Sequence, residues 1–208
     1  MRRDLRRGAV LRRLQVALPI APLNSRDVTG LLLEYANGDE SALSRVLPIV
    51  YDTLLDMARR AMRKHGRGTI DTSGLVHEAY LRLVDQSRLE WANSSHFLAV
   101  YSLAMRNVLV DLARRRAALK RGGDRQRVTL DDSLLRIDEQ ADEIVAIHDA
   151  LEKLGKRSPR LSRTVECRFF AGLTEDETAR ALQVSARTVR RDWLKAKAYL
   201  YDLLNPEV

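Results

Sequence analysis

The sequence predicts an all-α protein made of two helical domains joined by a flexible linker. Apolar residues recur at spacings of three and four through most of the 208 residues, and no alternating pattern typical of a β-strand persists. The balance of charge reverses abruptly near the middle of the chain, which marks a boundary between the two domains. Near the C-terminus, two short helices flank a tight turn, and the second of them is basic.

The first 25 residues are basic and are expected to form a disordered extension. Residues 1–16 contain six arginines and one acid, and the apolar patch that follows is interrupted by Pro19 and Pro22. A secretory signal peptide shares part of this pattern, but the patch is short and lacks a clear small-residue cleavage site. A basic arm, or an extension from an upstream start codon, fits the pattern better.

Four helices are predicted in the first domain, residues 26–121. The first ends before Gly38, and the second follows Pro48, which should kink or restart it. The third follows a glycine-containing loop. The fourth is long, follows Ser94 and Ser95, and lines one face with Phe97, Tyr101, Ala104, Met105, Val108 and Leu112. Four amphipathic helices of this kind form a compact unit.

An acidic flexible linker is predicted at residues 122–143. Residues 101–127 contain eight basic residues and two acids, whereas residues 129–143 contain six acids and one arginine. With Gly122 and Gly123 at the junction, this pattern is typical of a linker. The acids are interpreted either as a solvated run or as a mimic of nucleic acid that occupies a basic channel.

The second domain, residues 144–204, ends in the hairpin of two short helices. Thr174 and Glu177 form a capping box at the start of the first helix, and Ser185 is a good N-cap for the second. At about 100° per residue, the second helix separates two arcs. Its apolar arc contains Val189, Trp193, Ala196 and Leu200, and its basic arc contains Arg187, Arg190, Arg191, Lys195 and Lys197.

This hairpin is typical of a helix-turn-helix, whose second helix enters the major groove with its N-terminal residues at base edges. An arginine at such a position can bind a guanine through two hydrogen bonds. The alternative is an ordinary α-hairpin whose charges are only solvated. The candidate DNA-binding residues are Ser185, Arg187, Thr188, Arg190, Arg191 and Lys195.

Composition restricts the partners of the chain. A net charge of +8 favours polyanions without distinguishing DNA from RNA or a membrane surface. The single cysteine, Cys167, precludes an internal disulfide and indicates a reducing cytoplasm. His77 and Glu78 begin like a zinc-protease helix, but Leu81 stands where the second histidine would be. We therefore expect no catalysis, cofactor, metal, small-molecule substrate or membrane span.

Three strings occur in order along the chain: GLVHEAYLRLVD at residues 74–85, HFLAVYSLAMRNVLVDLARRRAALKRGG at residues 96–123, and FFAGLTEDETARALQVSARTVRRDW at residues 169–193. Together they resemble a bacterial sigma factor of the extracytoplasmic-function (ECF) type, within the sigma-70 family. The chain is also similar to the subgroup in which LVHEAYLRL precedes a WxN…HF stretch and KRGG…RVTLDD. The resemblance covers residues 27–204.

The resemblance implies a region-two domain at residues 26–121 and a region-four helix-turn-helix domain at residues 144–204. Such a factor binds core RNA polymerase, directs it to promoter DNA, and is often held inactive by an anti-sigma factor. The polymerase-binding positions implied on the third helix are Glu78, Arg82 and Asp85. The alternative is that Glu78 and Arg82, four residues apart, simply pair on a solvated helix.

The resemblance also implies that region two reads and melts the minus-ten promoter element and that region four reads the minus-thirty-five element. The implied minus-ten residues are Trp91, Asn93, Ser94 and His96 around a flipped base, with Arg106, Asn107, Arg114 and Arg115 on phosphates, and Arg116, Lys120 and Arg121 beside them. Trp91 could equally be a core residue. Gln183 departs from the glycine common in the family, and a left-handed backbone there costs about 1 kcal/mol.

Two other classes of protein share parts of this pattern. One is a stand-alone helix-turn-helix regulator with a helical effector domain, which would need a dimer surface to double its half-site. The other is an RNA-binding helical protein. The residues implied for a polymerase-docking helix and for a single-strand pocket favour a polymerase-binding initiation factor over both of these classes.

Overall fold

A computed structural model of the chain describes residues 25–39, 41–65, 70–84, 92–121 and 132–205, without the side chains of residues 25, 26, 63–65, 116, 119–121 and 132–142. Within these ranges the chain is helical and contains no strand. The predicted all-α class is confirmed. None of the described helices is long and apolar enough to cross a membrane.

The helices are numbered here in chain order. They are α1 (Ser25–Ala36), α2 (Ser41–His65), α3 (Thr72–Val84), α4 (Ser94–Arg121), α5 (Asp132–Arg157), α6 (Pro159–Val165), α7 (Glu175–Leu182) and α8 (Ala186–Leu204), with a π-helical turn at Glu166–Phe170. Helices α1 to α4 form an N-terminal unit around one apolar core. Helices α5, α6 and α8 and the π-helical turn surround a second core.

The core of the N-terminal unit is built around α4. Phe97 and Tyr101 on this helix are almost completely buried, and their rings contact each other with centroids 5.6 Å apart. The hydroxyl of Tyr101 donates a hydrogen bond to the carbonyl of Val76 at 2.6 Å, which joins α4 to α3. Because the only polar atom of this ring is paired, the ring can be buried without an uncompensated polar group.

Helix α2 begins at Ser41 and continues through Pro48, where the sequence predicted a kink or a restart. The backbone N–H of Ser41 donates to the Asp39 carboxylate at 3.0 Å, which starts the helix before the proline. Pro48 has no backbone N–H to donate to the carbonyl of Ser44, which lies one turn earlier. Both residues are exposed, so water can bind this carbonyl instead. The helix is held across the proline by three buried residues, Leu43, Val46 and Val50.

Residues 132–143 are helical, where a flexible linker was expected. They form the first half of α5. The linker prediction rests on the number of acids, although the apolar residues of this stretch recur at helical spacing. Acids also stabilise the N-terminal end of a helix. The apolar residues that follow the period are Leu134, Ile137, Ala141 and Ile144. The rest of the expected linker, residues 122–131, and residues 1–24 of the basic extension lie outside the described residues.

The two units pack directly against each other. The core of the N-terminal unit extends to buried residues of the C-terminal helices and the segments between them, namely Ile144, Cys167, Ala171, Leu173 and Ala181. Helix α4 contacts α5, the π-helical turn and α7, in addition to α1, α2 and α3. It therefore has helices on both sides.

The helix-turn-helix hairpin has the caps that the sequence predicted. The Thr174 backbone N–H donates to the Glu177 carboxylate at 2.7 Å, and the Glu177 backbone N–H donates to the Thr174 hydroxyl at 3.2 Å. Ser185 caps α8 by accepting a hydrogen bond from the Thr188 backbone N–H at 3.2 Å. Between the helices, Gln183 adopts a left-handed backbone with φ 54° and ψ 46°.

Replacing Gln183 with glycine should stabilise the protein. Glycine has no Cβ to clash in the left-handed region, and after its greater entropy loss on folding we expect a net gain of about 0.5–1 kcal/mol in the free energy of unfolding. Urea denaturation measures this gain. The control variant Gln183→Ala keeps the Cβ and should gain nothing, so an equal gain in both variants would contradict strain as the cause.

Candidate nucleic-acid interface

Helix α8 presents a continuous basic surface to solvent. Ser185, Arg187, Arg190, Arg191 and Lys195 are all exposed, and Thr188 is half-buried. The opposite face packs into the protein through Val189, Ala196 and Leu200, and Trp193 is half-buried beside them. The predicted separation of an apolar arc from a basic arc is therefore confirmed except at Lys197, which is half-buried and places its amine 5.6 Å from the centroid of the Trp193 ring because residues four apart share one face of a helix. All six predicted DNA-binding residues of this hairpin lie along one accessible stretch at the start of α8.

Arg190 bridges the two helices of the hairpin. Its guanidinium donates to both carboxylate oxygens of Glu175 at the start of α7, with a shortest distance of 2.8 Å. The hydrogen bond from Arg190 lowers the pKa of Glu175, so the carboxylate is charged at neutral pH. The Arg190 side chain is 70% exposed, and solvent weakens such pairs. DNA phosphates could therefore compete for this arginine, whereas Arg187 makes no ion pair with a described residue.

Asp192 has a structural role on the same helix. Its side chain is only 2% exposed, and Arg160 of α6 donates to it from Nε at 2.5 Å and from Nη2 at 3.5 Å. Asp192 therefore points away from the basic arc. The sequence alone does not reveal its partner, because Arg160 lies on another helix. The pair fixes α8 against α6 and so helps to orient the exposed arginines.

Helix α3 carries a mixed apolar and charged surface. Leu81 is 58% exposed and Val84 is 43% exposed, with the exposed Glu78 beside them. Arg82 lies 3.7 Å from Glu78 but only 2.8 Å from the Asp111 carboxylate of α4. The simple pairing of Glu78 with Arg82 is therefore the weaker of the two contacts. Asp85, the third predicted polymerase-binding residue, lies outside the described residues.

The predicted readers at the start of α4 are occupied by contacts within the protein. The Asn93 side-chain oxygen accepts a hydrogen bond from the His96 backbone N–H at 2.9 Å, and its amide group donates to the Arg180 carbonyl of α7 at 3.2 Å. Ser94 is buried, and burial lowers the pKa of the half-buried His96, with a smaller effect from Arg163. Trp91 lies outside the described residues.

The predicted phosphate-binding residues of α4 fall into two groups. Arg114 and Arg115 are exposed, with Arg114 lying 3.4 Å from Asp149 of α5. Asn107 is half-buried, and Arg106 is buried against the C-terminal helices, so Arg106 does not face solvent as expected. The reason is tertiary, because α5 and the π-helical turn cover this side of α4. The side chains of Arg116, Lys120 and Arg121 lie outside the described residues.

The helical architecture and the exposed basic helix agree with the comparison with known families. Residues 25–205 match the family model described as ECF sigma factor. The chain belongs to the ECF sigma factor family. This ECF sigma factor is therefore an RNA polymerase sigma factor that acts in transcription initiation. Members of the family bind core RNA polymerase and promoter DNA, and many are controlled by an anti-sigma factor. No curated protein and no solved structure matches the chain.

The match extends over both units of this ECF sigma factor. In the part of the chain that the structure describes, no group of three or more His, Cys, Asp or Glu residues could hold a metal ion.

The contact between the buried Asp192 and the exposed Arg160 gives a prediction for this ECF sigma factor. Asp192→Asn should lower the free energy of unfolding by about 1–3 kcal/mol, because the buried group loses its charge-assisted hydrogen bonds. Chemical denaturation measures the loss. Asp202→Asn changes an exposed carboxylate on the same helix and should stay within about 0.5 kcal/mol of the unchanged protein. Equal losses in the two variants would contradict the role of the pair.

Proposed function

We propose that α8 reads the minus-thirty-five promoter element, that the N-terminal unit reads and melts the minus-ten element, and that α3 docks on core RNA polymerase. In this proposal, residues 26–121 act as region two and residues 144–204 act as region four. The observation that carries the proposal is the exposed basic arc of α8, which follows a capped, tight turn and lies opposite a buried face.

The promoter-reading role of α8 is supported by the positions of its charged groups. Arg187 and Thr188 lie in the first turn, where the helix N-terminus also favours phosphate oxygens through its unpaired N–H groups. Arg187 and Arg191 lie four residues apart and therefore on the same side of the helix. Lys195 extends this row by one more turn, so base contacts at the N-terminal end would be flanked by phosphate contacts.

The docking role of α3 is supported by its exposed surface. Leu81 and Val84 lie three residues apart and expose apolar surface without a partner among the described residues. Glu78 adds a charged edge, which suits an apolar interface with a polar rim. Arg82 is held toward α4 by Asp111, so we assign it to the rim rather than the centre of this docking surface.

The minus-ten role rests on the chemistry of the residues at the start and middle of α4. Unstacking a base costs a few kcal/mol, which aromatic stacking and hydrogen bonds to the exposed base edge would offset. Asn93 and His96 carry hydrogen-bonding groups, and Trp91 is the aromatic candidate beside them. Arg114 and Arg115 are exposed and could hold the backbone phosphates.

Reconstitution with purified core RNA polymerase tests this function. The protein should co-purify with the core enzyme, and the complex should start run-off transcription from promoters found by sequencing genomic DNA that immunoprecipitates with the protein. A two-block motif in that DNA would identify both promoter elements. Binding to duplex DNA as a dimer without association with polymerase would instead indicate a stand-alone regulator, and a strict preference for structured RNA would indicate an RNA-binding protein.

Leu81→Ser should weaken binding to core polymerase at least tenfold, because it replaces apolar contact surface at the centre of the docking site by a hydroxyl. Binding to duplex promoter DNA should not change. Leu33→Ser makes the same change at a residue of α1 that is 51% exposed, and it serves as the matched control. Titration of a labelled protein with core enzyme measures both variants, and equal effects would contradict docking through α3.

Arg187→Gln should weaken binding to the minus-thirty-five duplex by about 1–3 kcal/mol and relax specificity at one base position, as expected for a lost base contact. Lys153→Gln removes one positive charge from an exposed position on α5 and should change affinity little. Fluorescence anisotropy with a set of single-base variants measures both effects. A uniform loss across all sequences would indicate a phosphate contact instead.

A further inference from the structure

Glu175 and Arg190 connect the two helices of the hairpin at the edge of its basic surface. Arg190 Nη2 donates to Glu175 Oε2 at 2.8 Å, and Arg190 Nε lies 3.2 Å from Oε2 and 3.4 Å from Oε1. These contacts all use one edge of the planar guanidinium, the edge that Nε and Nη2 form. The hydrogen bond from Arg190 lowers the pKa of Glu175, so the pair is ionised at neutral pH.

The second edge of the Arg190 guanidinium is available to a ligand. A guanidinium carries N–H donors on both of its terminal nitrogens, and those on the edge between Nη1 and Nη2 are not used by the Glu175 carboxylate. The Arg190 side chain is 70% exposed, so this edge reaches solvent. Two parallel donors in this arrangement match the O6 and N7 acceptors that guanine presents in the major groove.

Glu175 is held in place by the start of α7. It is the first residue of this helix and follows Thr174, whose capping box with Glu177 fixes the backbone at this point. Its carboxylate also lies near the helix N-terminus, where negative charge is favourable. The Glu175 side chain is 30% exposed, less than half the value for Arg190. The acid is therefore the fixed member of the pair, and it sets the direction of the longer and more flexible arginine.

DNA offers Arg190 two kinds of partner, a phosphate and a base. If Arg190 moved to a phosphate, the Glu175 carboxylate would lose its partner beside a polyanion, and such like-charge contacts are unfavourable. If Arg190 keeps Glu175 and presents its second edge to a base, both charges stay paired. The pair is also neutral as a whole, so it attracts phosphate less than Arg187, which makes no ion pair with a described residue. The balance of charge favours the base.

We infer that Glu175 is a positioning residue for base recognition, whose carboxylate holds one edge of Arg190 and directs the other edge at a guanine of the minus-thirty-five element. Glu175 itself does not touch DNA. Its effect is to make Arg190 a specificity-determining contact rather than a general phosphate contact. This inference rests on the proposed minus-thirty-five role of α8, to which it adds a residue of α7.

Glu175→Gln tests the inference, because it removes the charge and keeps the size of the side chain. Arg190 is then free to take a phosphate, and discrimination against other bases at one guanine should fall by about threefold or more. The slope of log affinity against log salt concentration should steepen by about 0.9, the value for one added phosphate contact. Because exposed ion pairs contribute little to stability, the variant should remain folded, which circular dichroism checks.

The measurement uses the full-length protein assembled with core polymerase. Its probe is a duplex promoter recovered by immunoprecipitation, with each base pair of the upstream block replaced in turn. Fluorescence anisotropy at several potassium chloride concentrations gives both the discrimination and the salt slope. Asp176→Asn is the matched control, because it removes one negative charge from an exposed position in the same turn of α7 without releasing Arg190. It should leave the discrimination and the slope unchanged.

A double variant shows whether Glu175 acts through Arg190. Arg190→Gln should lose discrimination at the same guanine, and adding Glu175→Gln should cause no further loss, because the two residues act as one unit. Full discrimination in Glu175→Gln or in Arg190→Gln would overturn the inference, as would a uniform loss of affinity for all bases or independent losses in the double variant.

Failure of the proposed function is distinguishable from failure of this inference alone. In that case the unchanged protein would not assemble with core polymerase or would prefer no base in the upstream block, and the inference would be overturned with it. If the unchanged protein discriminates and Glu175→Gln discriminates equally well, the proposed function stands and only the role of Glu175 is overturned.

Discussion

The arrangement of the whole protein depends on the burial of α4 from both sides. One side of this helix contributes Phe97 and Tyr101 to the core of the N-terminal unit, and the Tyr101 hydroxyl is satisfied by a backbone carbonyl of α3. The other side meets α5 and the π-helical turn. Arg106 is buried because the C-terminal helices cover this part of α4, whereas Arg114 and Arg115, further along the same helix, are exposed.

Arginine side chains therefore have different environments on α4 and α8. On α8 the arginines extend from the solvent side of a helix whose other face packs into the C-terminal core. Arg106 on α4 is enclosed and faces a carboxylate and an imidazole from the opposite unit. Exposed arginines are available to an incoming polyanion at once, whereas an enclosed arginine requires the surrounding helices to move first. The basic surface of α8 is therefore accessible as it stands, whereas Arg106 is covered by the C-terminal helices.

The orientation of the basic surface of α8 depends on one buried carboxylate, that of Asp192. Asp192 is buried among the contacts of α8 with α6, where Arg160 holds it through two hydrogen bonds. The Arg190–Glu175 pair connects α8 to α7 from the solvent side. The Asp192 carboxylate is buried although Arg160 is exposed, whereas both side chains of the Arg190–Glu175 pair reach solvent, so α8 is anchored mainly at Asp192.

The sequence by itself determined the helical class, the capping box at Thr174, the N-cap at Ser185 and, except at Lys197, the basic arc of α8, while the family resemblance added the left-handed backbone at Gln183. Each depends on residues within about two helical turns of each other, and local sequence encodes such contacts. Only the tertiary structure decided that Arg106 is enclosed, that Asn93 donates to α7, and that Asp192 binds Arg160. Each depends on residues distant in the chain, whose approach is set by how whole helices pack.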